Sequence, residues 1–368
     1  MRELWIDGTR IADDEPAFVI AELGHNHEGL ISKAKAMVVT AKKAGASAVK
    51  FQTRVPKEVY SKAEYDRQSD NPQWMAPTYG KHREALEFTQ AEWVELFAFC
   101  REVGITAFST PFDFASADML NDLGVPAFKI ASGDATNIPL IEHVASFGKP
   151  IIISTGGCTI QDVNRIFDRH FYHNTVPFAF LQCSCVYPCP SEDMNLEVIN
   201  TYRDLYRNTV IGLSTHNPRY IPTFAAYAVG ARIFEHHYTN DRSWKGTDNA
   251  FSLTPDMLKD LVDGLAEIRA SMGTGIKYPQ KVELTPTLER RKKLVARRGI
   301  LRGAVISRED IAILCPGDGI PPYELWSIVG KVASVDIKAD EDLTYGMIVP
   351  EPEMAAPVEV WMSKAGRY

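Results

Sequence analysis

The chain alternates short, nearly unbroken apolar runs with stretches of helical spacing, and the alternation keeps one rhythm for some 250 residues. After an N-terminal strand or hairpin at 3–12, FVIAEL (18–23) is followed by an Ala- and Lys-rich helical stretch at 30–44. SAVKFQT (47–53) leads into an irregular segment to about residue 85 and then a helix near 90–103. ITAFST (105–110), PAFKIAS (126–132), PIIIST (150–155) and PFAFLQC (177–183) precede helical stretches at 113–123, 138–147, 159–170 and 194–206. Two further runs, 209–214 and 232–236, are followed by helices at 220–230 and 255–272. Eight strand-like runs each answered by a helix predict an α/β fold, a (β/α)8 TIM barrel over 1–272 with a hairpin inside 1–17. The runs lack polar alternation because parallel strands are buried on both faces. Residues 273–290 (GTGIKYPQKVELTPTLER) lose the rhythm and read as a linker. Beyond it, short β-type runs between turn residues predict a compact β-rich domain at 291–350, followed by a tail at 351–368 with no predicted element.

Composition narrows the function. A net charge of −7 and a pI near 5.8 exclude nucleic acid, which requires a basic face. No apolar run approaches the roughly 20 residues of a membrane span, and the acidic, interrupted start MRELWIDGTRIADDEP is no signal peptide. Six cysteines (Cys100, Cys158, Cys183, Cys185, Cys189 and Cys315) are few for this length and lack zinc-finger partners, so reduced thiols and a cytoplasmic location are expected.

In a barrel of this kind the chemistry gathers at the C-terminal strand ends. His216 follows the run 209–214 and His237 ends the run 232–236, with one crossover helix between them. Adjacent parallel strands lie roughly 4.8 Å apart, so both imidazoles emerge at one edge, near enough to share a metal ion, with Glu235 and Asp248 beside them. The alternative is a capping His216 and a satisfied buried His237. Lys50 and Lys129 interrupt strands that would otherwise hold Val, Ile or Leu, and a buried lysine is costly without an anion. With hydroxyls on strands 3, 4, 5 and 7 they compose a phosphate cage; ion pairs with Glu22, Asp134 or Glu235, or a Schiff-base lysine, are the competing readings. The run ERRKKLVARR (289–298) reads as a solvated face or a domain seam, with Arg297, Arg298 or Arg302 available to reach a substrate.

The motifs AELGHNHEG (21–29), AVKFQT (48–53), FSTPFD (108–113), FKIASGD (128–134), ISTGG (153–157), YPCP (187–190), GLSTH (212–216) and EHHYT (235–239) follow in order. In this the chain resembles the sialic acid synthase (N-acetylneuraminate synthase) family, which includes legionaminate and pseudaminate synthases and SpsE-like proteins. PGDGI (316–320) and VGKVA (329–333) extend the resemblance into an antifreeze-like SAF domain of β-clip type. The resemblance implies condensation of phosphoenolpyruvate with the open-chain aldehyde of an N-acyl hexosamine, giving a nine-carbon 2-keto sugar acid and phosphate. By the same resemblance His216 and His237 hold a divalent metal, Mn2+ first with Mg2+ or Co2+ as alternatives. Glu22 is then the acid/base group and Glu235 stands next to the metal. Lys50, Thr110, Lys129, Ser132, Ser154 and Ser214 bind phosphoenolpyruvate, and Gln52, Tyr187 and Asp248 contact the acceptor. A domain-swapped homodimer is implied too. Four positions depart from the family pattern: Thr215 replaces an Asp, Asp134 a Glu, Cys185 an Asn, and Cys315 an Arg that crosses the dimer to the acyl group. Losing that guanidinium opens two alternatives, a different or phosphorylated sugar aldehyde, and a catalytically silent sugar-binding or coat-assembly barrel.

Overall fold

The computed structural model describes residues 2–171 and 176–349; the expected tail 351–368 and the last residue of the expected second domain lie outside the described residues. Strands β1 (Glu3–Ile6) and β2 (Thr9–Ala12) form an antiparallel hairpin with Glu3 opposite Ala12. Eight parallel strands then close a barrel: β3 (Phe18–Gly24), β4 (Ala48–Thr53), β5 (Thr106–Pro111), β6 (Phe128–Ile130), β7 (Ile151–Ser154), β8 (Phe178–Gln182), β9 (Val210–Thr215) and β10 (Ile233–His237), with β10 pairing β3. The predicted TIM barrel is the fold observed. Strands such as β3, β7 and β10 are buried at every position, as their apolar runs require.

Helices α1 (Ile31–Lys43), α2 (Pro56–Val59), α3 (Lys62–Tyr65), α4 (Tyr79–Glu84), α5 (Gln90–Val103), α6 (Phe114–Asp122), α7 (Ile138–Ala145), α8 (Ile160–Ile166), α9 (Val198–Leu205), α10 (Ile221–Ala228) and α11 (Pro255–Met272) connect and enclose the strands. Local chemistry fixes their ends. Thr89 and Glu92 form a reciprocal capping box at the start of α5, and Gly104 ends it in a left-handed conformation.

Three expectations are corrected. The segment between β4 and residue 85, read as irregular, contains the short helices α2, α3 and α4. Strand β6 is shorter than the run 126–132, because Ser132–Asp134 already turns as a 3-10 helix. The linker 273–290 carries a helix, α12 (Leu284–Arg290), whose Thr-Pro-Thr start obscured it in the sequence. Among the described residues, Thr274 to Val349 form a second compact unit. There β11 (Lys293–Ala296) pairs antiparallel with β12 (Ile311–Leu314) over a small core that includes Leu294, Ile306, Ile311 and Ile328 of α13 (Leu325–Ile328). Lys293 joins Asp318 and Asp342 across this unit. No helix among the described residues is long and apolar enough to cross a membrane.

Register sets the interior. Across β10, β3 and β4, His237 pairs with Glu22 and Glu22 with Lys50, so the three face the barrel axis in one row. A bulge between Glu22 and Gly24 turns the end of β3 toward the mouth. Gly212 in β9 lets the strands close, since a Cβ there would stand 2.3 Å from the Ile233 carbonyl oxygen and 2.4 Å from the Leu181 side chain. Gly212→Ala is therefore expected to destabilise the barrel by about 1–3 kcal/mol, the usual cost of overpacking, read as a fall in Tm. An unchanged Tm would show that the barrel wall yields there.

Candidate active site

The row of inward side chains continues into a cavity at the C-terminal mouth. Glu22, Lys50, Gln52, Thr110, Lys129, Ser132, Ser154, Tyr187, Ser214, His216, Glu235 and His237 line it, so the sequence-predicted residues converge from all eight strands or the loops that follow them. Asp248 is the exception. It stands outside the lining, with its Oδ2 3.6 Å from His237 Nδ1. Phe112, Ala131 and Cys183 complete the wall.

Two lysines dominate the floor. Lys50 Nζ donates to Thr110 Oγ1 at 2.8 Å and lies 2.7 Å from Glu22 Oε2 and 3.9 Å from Glu235 Oε1. The ion-pair reading of Lys50 is thus present in the structure. Lys129 is different. It is 2 % exposed, and its Nζ donates to Ser154 Oγ at 2.6 Å and to the Ile130 carbonyl at 2.8 Å. Among the described residues no carboxylate stands within ion-pair distance of it. Burial pushes the Lys129 ammonium below its ordinary range, while Glu235 works against that shift. A buried cation met only by neutral oxygens is a seat prepared for an anion.

The two carboxyl groups are driven apart. Burial raises Glu22, outweighing the attraction of Lys50. Burial also opposes the Glu235 carboxylate, yet Lys129, Lys50 and the two imidazoles together hold it below the ordinary carboxyl range. Opposite shifts in adjoining carboxyls are the arrangement that separates a proton-carrying group from a fixed negative charge.

His216 and His237 face each other with ring centroids 5.3 Å apart. The Ser184 carbonyl accepts from His216 Nδ1 at 3.0 Å, which leaves the other ring nitrogen unprotonated and turned away from that bond. Burial and His237 lower His216 to about 4, so the ring is neutral at physiological pH, the form that binds metal. The His237 Nδ1 and Glu235 Oε2 atoms are buried without a hydrogen bond, while Glu22 Oε2 is engaged by Lys50. These orphaned polar atoms fit a cation. No group of three or more His, Cys, Asp and Glu side chains is arranged to hold a metal among the described residues.

Three departures from the family pattern are also placed. The Thr215 hydroxyl accepts from the Asn217 N–H and organises the loop after β9. Asp134 accepts from Asn137 Nδ2, and burial raises its carboxyl. Cys185 is exposed; a hydrogen bond with Cys183 lowers its thiol to about 6. In the second unit, Lys292 Nζ lies 3.8 Å from Cys315 Sγ, so a cation stands beside the position that lacks the arginine. Sequence reasoning missed Arg54, Glu87 and His25, which form a buried network beside Gln52. The signal available was Arg54 directly after a buried strand.

Comparison with known proteins agrees with this geometry. A profile described as the NeuB family matches residues 37–277, and one described as the SAF domain matches 291–349. N-acetylneuraminate-9-phosphate synthase of Homo sapiens is 32 % identical, covering 91 % of this chain and 94 % of the relative. N,N'-diacetyllegionaminic acid synthase of Legionella pneumophila is 36 % identical, covering 89 % and 93 %. A crystal structure of N-acetylneuraminic acid (sialic acid) synthetase from Leptospira borgpetersenii, in complex with citrate, superimposes with a TM-score of 0.69 at 32 % identity, covering 77 % of this chain and 95 % of that one.

The lone buried ammonium yields a prediction. Lys129→Met removes a buried charge that has no carboxylate within ion-pair distance and keeps the volume, so Tm is expected to hold or rise even though Glu235 loses an attraction and the cavity loses its anion seat. A clear fall in Tm would show that Lys129 supports the fold.

Proposed function

The chain belongs to the NeuB family and is a synthase of that type, and we propose that it joins phosphoenolpyruvate to the aldehyde of an N-acyl hexosamine, giving a nine-carbon 2-keto sugar acid and phosphate. The observation that carries this is Lys129, a buried ammonium without a carboxylate partner, in the same cavity as Lys50, four hydroxyls and two imidazoles. Lys50, Lys129, Thr110, Ser132, Ser154 and Ser214 hold the phosphate and carboxylate of phosphoenolpyruvate by charge-assisted hydrogen bonds. Gln52 and Tyr187 face the acceptor, the Tyr187 ring tilted against His216 at a centroid distance of 3.8 Å, and Asp248 reaches the acceptor from beside His237, outside the cavity lining. A divalent ion, Mn2+ first with Mg2+ or Co2+ as alternatives, held by His216 and His237, supplies Lewis acidity toward the aldehyde oxygen.

The remaining steps fall to the chain. C3 of the enol forms a bond to the aldehyde carbon as the C=O π bond opens, the aldehyde oxygen takes a proton from Glu22, and positive charge develops at C2. The Glu235 carboxylate, kept ionised by its neighbours, stabilises that charge. Water adds at C2 and Glu22 takes its proton; its raised affinity for protons suits the task. The C2–O bond to phosphate then breaks, leaving the keto acid and inorganic phosphate. Few, unpaired cysteines support a cytoplasmic setting, and the family resemblance supports a domain-swapped homodimer.

Two measurements test this. With Mn2+, a panel of N-acyl hexosamines with and without phosphate, and phosphoenolpyruvate carrying 18O in the C2–O–P bridge, phosphate release is expected with the label in the phosphate. Label retained in the sugar acid would mean P–O cleavage and a different reaction. Tight sugar binding with no release from any acceptor would favour the silent barrel. His237→Ala is expected to abolish turnover and Mn2+ binding, read by electron paramagnetic resonance, with an unchanged fold by circular dichroism. Turnover and binding at the wild-type level would remove the metal assignment.

A further inference from the structure

Arg54 follows the last residue of β4 and is 6 % exposed, at the edge of the acceptor side of the cavity. Its guanidinium lies 4.0 Å from the centroid of Phe112, a wall residue of that cavity. Nη2 donates to Gln52 Oε1 at 2.5 Å, and Gln52 Nε2 donates to Glu22 Oε1 at 2.8 Å. Behind it, the Arg54 backbone N–H donates to Glu87 Oε2 at 3.1 Å, and Nε stands 3.4 Å from Glu87 Oε1. Glu87 is held in turn by His25 Nε2 at 3.1 Å, and Tyr60 receives Nη1 at 3.2 Å.

A guanidinium carries donors only, so the amide oxygen of Gln52 must face Arg54. The amide nitrogen is then committed to Glu22. One N–H is spent there, and the other remains for the acceptor. We propose that Arg54 is a positioning residue for the condensation, fixing the Gln52 amide so that it offers an N–H donor to an oxygen of the acceptor sugar and a second to Glu22. This rests on the reading of Gln52 as an acceptor contact. It selects acceptors that place a hydroxyl or carbonyl oxygen, rather than a donor-only group, opposite Gln52.

A double-mutant cycle separates this role from a structural one. Arg54→Ala is expected to lower kcat/KM for the acceptor roughly tenfold or more, the usual effect of losing a charge-assisted bond, with KM for phosphoenolpyruvate unchanged. In a Gln52→Ala background the same change is expected to cost almost nothing further. Arg54→Lys, which keeps the charge and one donor, should recover part of the loss, and it takes the place of the alanine variant in the cycle should that one not fold. Wild-type acceptor kinetics in the variant, an equal loss toward phosphoenolpyruvate, or full additivity with Gln52→Ala would each overturn the proposal. Absence of turnover in the wild-type chain would instead overturn the condensation reading, and the proposal with it.

Discussion

A positive charge inside an apolar barrel is the constraint on which the site depends. Taking an ammonium out of water costs several kcal/mol even after relaxation, and neutral oxygens return only part of that. Lys129 accepts this cost with a serine hydroxyl and a main-chain carbonyl as its partners. Lys50, one strand away through β5, is paired with Glu22 and shares its field with Glu235. The floor is therefore asymmetric: Lys50 is paired with a carboxylate within the chain, while Lys129 feels Glu235 only from beyond ion-pair distance, which leaves it open to an external anion. An anionic substrate that enters completes the electrostatics of the barrel, and its binding energy includes the relief of that unpaired charge.

The same asymmetry sorts the carboxyls. Glu235 lies near both ammonium groups and both imidazoles, so its ionised form is favoured despite full burial. Glu22 has one ammonium and a second carboxyl to contend with, and burial prevails. Strand register produces this result rather than loop conformation. The pairing of His237 with Glu22 and Glu22 with Lys50 fixes who faces whom, and sliding a strand by one residue would turn these side chains into the packed layer behind the barrel wall.

How far the sequence disclosed this follows from the same distinction. Apolar runs as dense as IIIS in β7 announce buried parallel strands, and polar residues at their ends are conspicuous against them. Hence His216, His237, Glu22 and the lysines were legible, and so was the barrel. Arg54, Glu87 and His25 were not, because they lie on turns and on the segment around α2, α3 and α4, where no periodicity reports a neighbour. Their association is purely tertiary. Helix α12 was hidden by its prolines and short length, and the short β6 by a turn that begins within an apolar run. Asp248, expected to contact the acceptor, stands beside His237 and outside the cavity lining.

A division of labour within the barrel explains why the departures from the family pattern fall where they do. Of the residues read as handling the three-carbon donor, Lys50, Thr110, Lys129, Ser154 and Ser214 are on strands whose register cannot change without loss of the core, and Ser132 opens the 3-10 turn after β6. Asp134, Cys185 and Cys315 are on turns or loops, where a substitution alters contacts and leaves the register intact. Thr215 ends β9, but its hydroxyl is engaged by the loop backbone rather than the cavity. Gln52 joins the two groups, being on a strand yet oriented by an arginine just beyond that strand's end. Residues beyond the strand ends, such as Arg54 and Cys185, can thus change while the strand-borne part of the site stays as it is. A change of sugar is the smaller step for this architecture, and a change of chemistry the larger one.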